Sequence, residues 1–176
     1  MVKINDILCV PKSDKKKRFL IGEKGSRELL AIGVNPSSAN EYKLDPTSKN
    51  IKAIAKKYNC DGWWIINLYP IKTSKPKDLP KRINHMLASQ NLDMIYSIIA
   101  NDNYNFKKIL CCWGNHISTR YYLRPQANKI TSMLQQIDAK IYCLGLTALG
   151  NPIHPSPLAI NTIFKGIKNV DLKNFN

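Results

Sequence analysis

Leu29-Leu30-Ala31-Ile32-Gly33-Val34-Asn35-Pro36 decides the fold: an unbroken apolar run, then an abrupt stop. A run without polar alternation suits a strand whose two faces are both covered, as in a parallel sheet between helix layers. Pro36 ends it, because proline removes a ladder donor and restricts the residue before it. The carboxyl end of this strand therefore opens into a loop rich in Ser and Asn.

Working outward, three more segments read the same way. Trp63-Trp64-Ile65-Ile66-Asn67-Leu68 is a second buried strand closed by Pro70, Lys108-Ile109-Leu110-Cys111-Cys112-Trp113 a third closed by Gly114, and Lys140-Ile141-Tyr142-Cys143-Leu144-Gly145 a fourth. Helical spacing fills the gaps. Ile51, Ile54, Ala55 and Tyr58 follow Asp45-Pro46-Thr47, with Thr47 the expected cap. Longer helices are expected from Ile83 to Ala100 and from about Ala127 to Ile137. On the other side, Lys15-Lys16-Lys17-Arg18 reads as a solvated basic turn before an edge strand at Phe19-Leu20-Ile21. Strands alternating with helices predict an α/β fold with three layers, α/β/α, around a mostly parallel central sheet of about four core strands. With no repeat, linker or low-complexity tract, residues 1–176 are expected to be one domain, its core at about 18–160, flanked by an N-terminal edge strand and a C-terminal tail.

Composition bounds the function. A chain of 176 residues, 44% hydrophobic, buries a core without disulfides or metals. No stretch approaches the roughly 18 consecutive apolar residues of a membrane span, and Met1 to Val10 lacks the layout of a secretory signal, so no membrane partner and a cytoplasmic location are expected. The five cysteines, Cys9, Cys60, Cys111, Cys112 and Cys143, are odd in number and show no C-x-x-C spacing. Reduced, buried thiols are the expectation; a metal or cluster site is the alternative. A net charge of +15, from 27 Lys and Arg against 12 Asp and Glu, favours a polyanionic partner. The alternative is compositional, since an AT-rich genome also inflates Lys, Asn and Ile.

In open α/β sheets, ligands bind beyond the carboxyl ends of the strands. The chemically distinctive residues fall there: Asn35 after the first core strand, Asn67 at the end of the second, Trp113-Gly114-Asn115-His116 after the third and His154 after the fourth.

Four short motifs in the same order resemble the uracil-DNA glycosylase superfamily: Gly33-Val34-Asn35-Pro36, Ile65-Ile66-Asn67-Leu68, Leu110-Cys111-Cys112-Trp113-Gly114 and His154-Pro155-Ser156-Pro157-Leu158. The N-P-S-S-A, D-P-T, N-L-Y, W-G and H-P series also resembles an uncharacterised family of bacterial and phage proteins carried under a domain-of-unknown-function label. The first resemblance implies a glycosylase-like fold and a protein that flips a damaged or modified base out of DNA and excises or recognises it, as a monomer and without a cofactor.

That resemblance assigns roles. Asn35 takes the place of the water-activating acid, where an amide orients water but accepts no proton. Asp45 is the acid near this loop that would act as a base, unless it only turns the chain or caps the helix. Asn67 reads a base edge through adjacent acceptor and donor, unless it satisfies backbone groups at the strand end. A neutral His154 donates to the charge developing on the departing base, unless it is simply a solvated loop histidine. Tyr69 stacks on the base, with core packing the alternative. Ser37 stands where a methyl-excluding tyrosine is expected, which implies a pocket open to 5-substituted bases. Ser37, Ser38 and Ser156 are placed at the flanking phosphates, Leu158 as a wedge in the duplex on a loop that Pro157 stiffens, and Lys72 and Lys75 in a basic stripe nearby, unless that stripe is an ordinary solvated loop. His85 and His116 match nothing in the superfamily and read as structural or rim residues. Two alternatives stand beside excision: a module that binds nucleic acid or a base without cleaving it, and an enzyme on free nucleosides or nucleotides.

Overall fold

The computed structural model describes residues 6–175; residues 1–5, part of the segment read above for a secretory signal, lie outside the described residues, as does residue 176. The strands are β1 (Ile7–Val10), β2 (Leu20–Glu23), β3 (Glu28–Gly33), β4 (Gly62–Asn67), β5 (Phe106–Cys111), β6 (Lys140–Cys143) and β7 (Lys173–Asn174). The helices are α1 (Pro46–Lys57), α2 (His85–Ile99), α3 (Leu123–Leu134) and α4 (Pro157–Thr162).

All seven strands form one sheet in the order β1-β2-β4-β3-β5-β6-β7. The pairings β4-β3, β3-β5 and β5-β6 are parallel, whereas β1-β2, β2-β4 and β6-β7 are antiparallel. The sheet is therefore mixed and larger than the mostly parallel, four-strand sheet the sequence suggested. The four strands read from sequence are its parallel centre. The additions come from the chain ends, where segments of four and two residues carry too little pattern to read. Phe19-Leu20-Ile21, expected at the edge, falls in an interior strand, because β1 covers β2 on its outer side.

Side-chain alternation along the central strands feeds two separate cores. Leu30, Ile32, Trp64, Ile66 and Ile109 face α2 and α3, meeting Ile95, Ile98, Ile130 and Leu134. Leu29, Ala31, Trp63, Ile65 and Leu110 face α1 and α4, meeting Ile51, Ile54 and Ile160. Helices thus cover both faces of the sheet. At its lower end the fully buried Glu28 accepts from Trp64 Nε1 at 2.9 Å and from the Asn105 backbone N–H at 2.6 Å.

At the opposite end, α1 starts where the loop after β3 finishes. Asp45, not Thr47, caps it: its Oδ1 accepts from Ser48 N–H at 2.8 Å, and Pro46 opens the first turn, where a missing N–H costs nothing. The segment around Leu158, read as loop, is helical from Pro157 onward, with Ser156 as the cap.

Candidate functional site

The carboxyl ends of β3 and β4, the residue after β5, the first turn of α1 and the segment His154 to Ser156 enclose a cleft of about 260 Å³. Parallel register brings Gly33 beside Asn67 and Ile32 beside Cys111, so the three strand ends deliver their following residues to one place. Asn35, Ser37, Asp45, Asn67, His154 and Ser156 all line the cleft. Two glycines make the convergence possible. A Cβ on Gly33 would lie 3.0 Å from Asn67 Oδ1, so the bare backbone leaves room for the amide. Gly114, at φ +61°, turns the chain after β5, and a Cβ there would press on His154 Cβ at 3.2 Å. Its N–H donates to Pro152 O at 2.8 Å, which ties the Trp-Gly turn to the histidine segment.

Asn67 is 2% exposed. Its backbone carbonyl accepts from Asn91 Nδ2 at 2.9 Å, but its own Nδ2 has no partner. A buried amide donor left unmade costs about 1–3 kcal/mol, and here it sits on a cleft wall.

Asn35 and Asp45 are more engaged. Asn35 Nδ2 donates to Pro36 O at 2.9 Å and Thr73 O at 2.8 Å, clasping the loop after β3 to the loop after β4. Its Oδ1 is left to accept. Asp45 caps α1 with Oδ1, and its Oδ2 accepts from Ala39 N–H at 3.4 Å; each oxygen keeps a lone pair. Asp45 thus caps the helix and also lines the cleft.

His154 is half-buried, and burial lowers its pKa to about 4; His116 adds to the shift and the Asp45 carboxylate opposes it. The ring is neutral at pH 7, so one nitrogen can donate and the other can accept. Pro155 O accepts from Asn50 Nδ2 at 2.9 Å, which fixes this segment to α1. Ser156 Oγ accepts from Ala159 N–H at 3.2 Å, so the hydroxyl serves the α4 cap as well as the cleft. Leu158, on the first turn of α4, is 72% exposed just outside the rim beside the exposed Pro157.

Other expected members lie elsewhere. Tyr69 is fully buried between Leu79 and Tyr122, and its hydroxyl accepts from Asn84 N–H at 3.1 Å. It is a core residue and cannot stack on a base, because its strand end is covered by the start of α2. Ser38 is exposed outside the cleft lining. Lys72 Nζ donates to Asp14 O at 3.1 Å, and Lys75 is exposed on the outer loop; neither lines the cleft.

Sequence reading missed Arg18. Placed in a solvated basic turn, it is instead 2% exposed and lines the cleft, held by Arg18 N–H to Pro70 O at 2.9 Å and Nη1 to Ala39 O at 2.6 Å. Its Nε has no partner. His116, read as a rim residue, also reaches the cleft lining, as do Thr73 and Cys112. Cys112 is inert: burial pushes its thiol up to about 12. Among the described residues, no group of three or more His, Cys, Asp or Glu is arranged to hold a metal, and no helix is long and apolar enough to cross a membrane.

A family model described as "Protein of unknown function (DUF1643)" matches residues 17–156, from beside Arg18 to Ser156. No curated protein and no solved structure matches. The match supports the uncharacterised-family half of the resemblance, while the likeness to uracil-DNA glycosylases rests on the four motifs alone.

Proposed function

The chain belongs to the DUF1643 family, and from that premise we propose that its cleft recognises a single nucleobase of DNA and, in the manner of a DNA glycosylase, excises it when damaged or modified. The observation that carries this reading is the unpartnered Nδ2 of Asn67, buried in the cleft wall beside a neutral His154. A base edge presents an acceptor to that donor, and its neighbouring N–H meets Asn67 Oδ1. The base gains a satisfied donor, and the protein loses the cost of an unmade bond. His154 then donates to the negative charge that develops on the base as the glycosidic bond breaks. Asp45 Oδ2 holds a water on the other side of the cleft, and Leu158, exposed at the rim, fills the space the base leaves. The net charge of +15 draws the strand in.

A second reading, recognition without cleavage, is favoured by the engagement of both water-handling candidates: Asn35 by two carbonyls and Asp45 by two backbone N–H groups. One assay separates the two. Labelled single and double strands carrying uracil, hypoxanthine, mismatched thymine or a 5-modified pyrimidine are incubated with the protein and cleaved with alkali. Excision predicts abasic sites that the Asn67→Ala protein does not make. Intact DNA throughout, with salt-sensitive binding that discriminates among the bases, transfers the proposal to recognition alone. Intact DNA without base discrimination removes both.

A further inference from the structure

We propose that the cleft binds the phosphate of the same nucleotide whose base Asn67 reads, holding it against Arg18 and the first turn of α1. The inference rests on the base-recognition reading and narrows its ligand to a nucleotide bearing a terminal phosphate, either free or at the 5′ end of a strand.

Arg18 stays protonated in a protein under all ordinary conditions. It is 2% exposed, and of its donors Nη1 is anchored to the Ala39 carbonyl while Nε has no partner. The ion pairs among the described residues are Lys24 with Glu28, Lys52 with Glu23 and Lys57 with Asp171, so Arg18 belongs to none. Neither buried acid nearby forms an ion pair with it: the Asp45 carboxylate acts on Arg18 only from a longer distance, and Glu41 Oε2 is itself without a partner. Asp45 accepts from Ser48 and Ala39, and Glu41 Oε1 accepts from Ser13 N–H and Oγ. A buried guanidinium with no carboxylate in direct contact has its desolvation only partly offset, here by the charge of Asp45. In a cleft, it is a preformed anion site.

The helix end points the same way. Thr47 and Ser48, in the first turn of the twelve-residue α1, line the cleft with Arg18. Helix N-termini favour anions through their free N–H groups and dipole. Asp45, the one acidic residue lining the cleft among the described residues, is held at the cap by Ser48 N–H, with Thr47 and Ser48 beside it in the lining. A cleft of about 260 Å³ lies just below the usual range of ligand sites (roughly 300–1,000 Å³), which leaves room for no more than one nucleotide. A terminal phosphate carries three free oxygens and nearly two charges, against two and one in a diester, so it can still meet donors at the start of α1 after Arg18 has taken two oxygens.

Calorimetry on the whole chain tests this with nucleoside monophosphates, the matching nucleosides, ribose 5-phosphate, and short oligonucleotides with and without a 5′-phosphate. The monophosphate should bind roughly 10- to 100-fold more tightly than its nucleoside, and Arg18→Gln should remove that preference while leaving nucleoside affinity in place. A preference seen only for free monophosphate, or also for the 5′-phosphorylated oligonucleotide, supports the site and identifies its source. Equal binding of nucleoside and monophosphate by the unaltered protein overturns it, whether or not Arg18→Gln folds. The base reading fails separately: ribose 5-phosphate binding as tightly as the monophosphate would remove Asn67's role and leave the phosphate site standing.

Discussion

Asn91, fully buried on α2, donates from Nδ2 to the backbone carbonyl of Asn67 at 2.9 Å, so a helix on one face of the sheet fixes the residue that faces the cleft on the other. Asn91→Leu removes that donor and leaves the Asn67 carbonyl unsatisfied. We expect a loss of about 1–3 kcal/mol in urea unfolding, with weaker base binding at unchanged phosphate binding. Unchanged stability and base affinity would show that Asn67 needs no support from α2.

Asp45 separates structure from chemistry by substitution. Asparagine is as good a cap as aspartate, whereas alanine loses about 0.5–2 kcal/mol. Asp45→Asn keeps the cap to Ser48 but turns an NH2 toward Ala39 N–H, so it should lower the thermal midpoint less than Asp45→Ala does while abolishing any excision; Asp45→Ala should lower both. Full activity in a stable Asp45→Asn protein would exclude the carboxylate from handling water.

His154 gives the stability a pH dependence of definite sign. Burial takes its pKa from 6.5 in the unfolded chain to about 4 in the fold, with His116 reinforcing and Asp45 opposing the shift. Between those values the unfolded chain binds a proton that the folded chain refuses, so stability falls as pH drops from 6.5 toward 4. Below about 4 this group contributes no further loss. His154→Gln should flatten that limb in chemical unfolding at pH 7, 5.5 and 4.5; parallel curves for the two proteins would contradict a buried neutral imidazole.

Leu158 is exposed enough that Leu158→Ala should leave the unfolding free energy within about 0.5 kcal/mol of the parent. If it wedges a duplex, double-stranded substrates should lose more activity or affinity than single-stranded ones. Equal effects on both would leave it without a role at the strand.

Much of the centre was legible because β3 and β4 are apolar on both faces, a pattern that only a covered parallel strand requires. The rule that ligands collect at the carboxyl ends then drew Asn35, Asn67 and His154 together correctly. Arg18 was illegible for a different reason. Within Lys15-Lys16-Lys17-Arg18 nothing local marks the member that turns inward; its burial is fixed by Pro70 and Ala39, both distant in sequence. Tyr69 failed conversely, since an aromatic after a strand looks the same whether it faces a ligand or, as here, Asn84 and Tyr122.

The most direct test of base recognition compares affinity for a single strand carrying the preferred base with affinity for the same strand bearing an abasic analogue at that position, in the parent and in Asn67→Ala. The parent should favour the base-bearing strand roughly tenfold, as one buried hydrogen bond satisfied on binding implies, and Asn67→Ala should bind both strands alike. Equal affinity of the parent for the two strands would contradict the assignment of this cleft to a nucleobase.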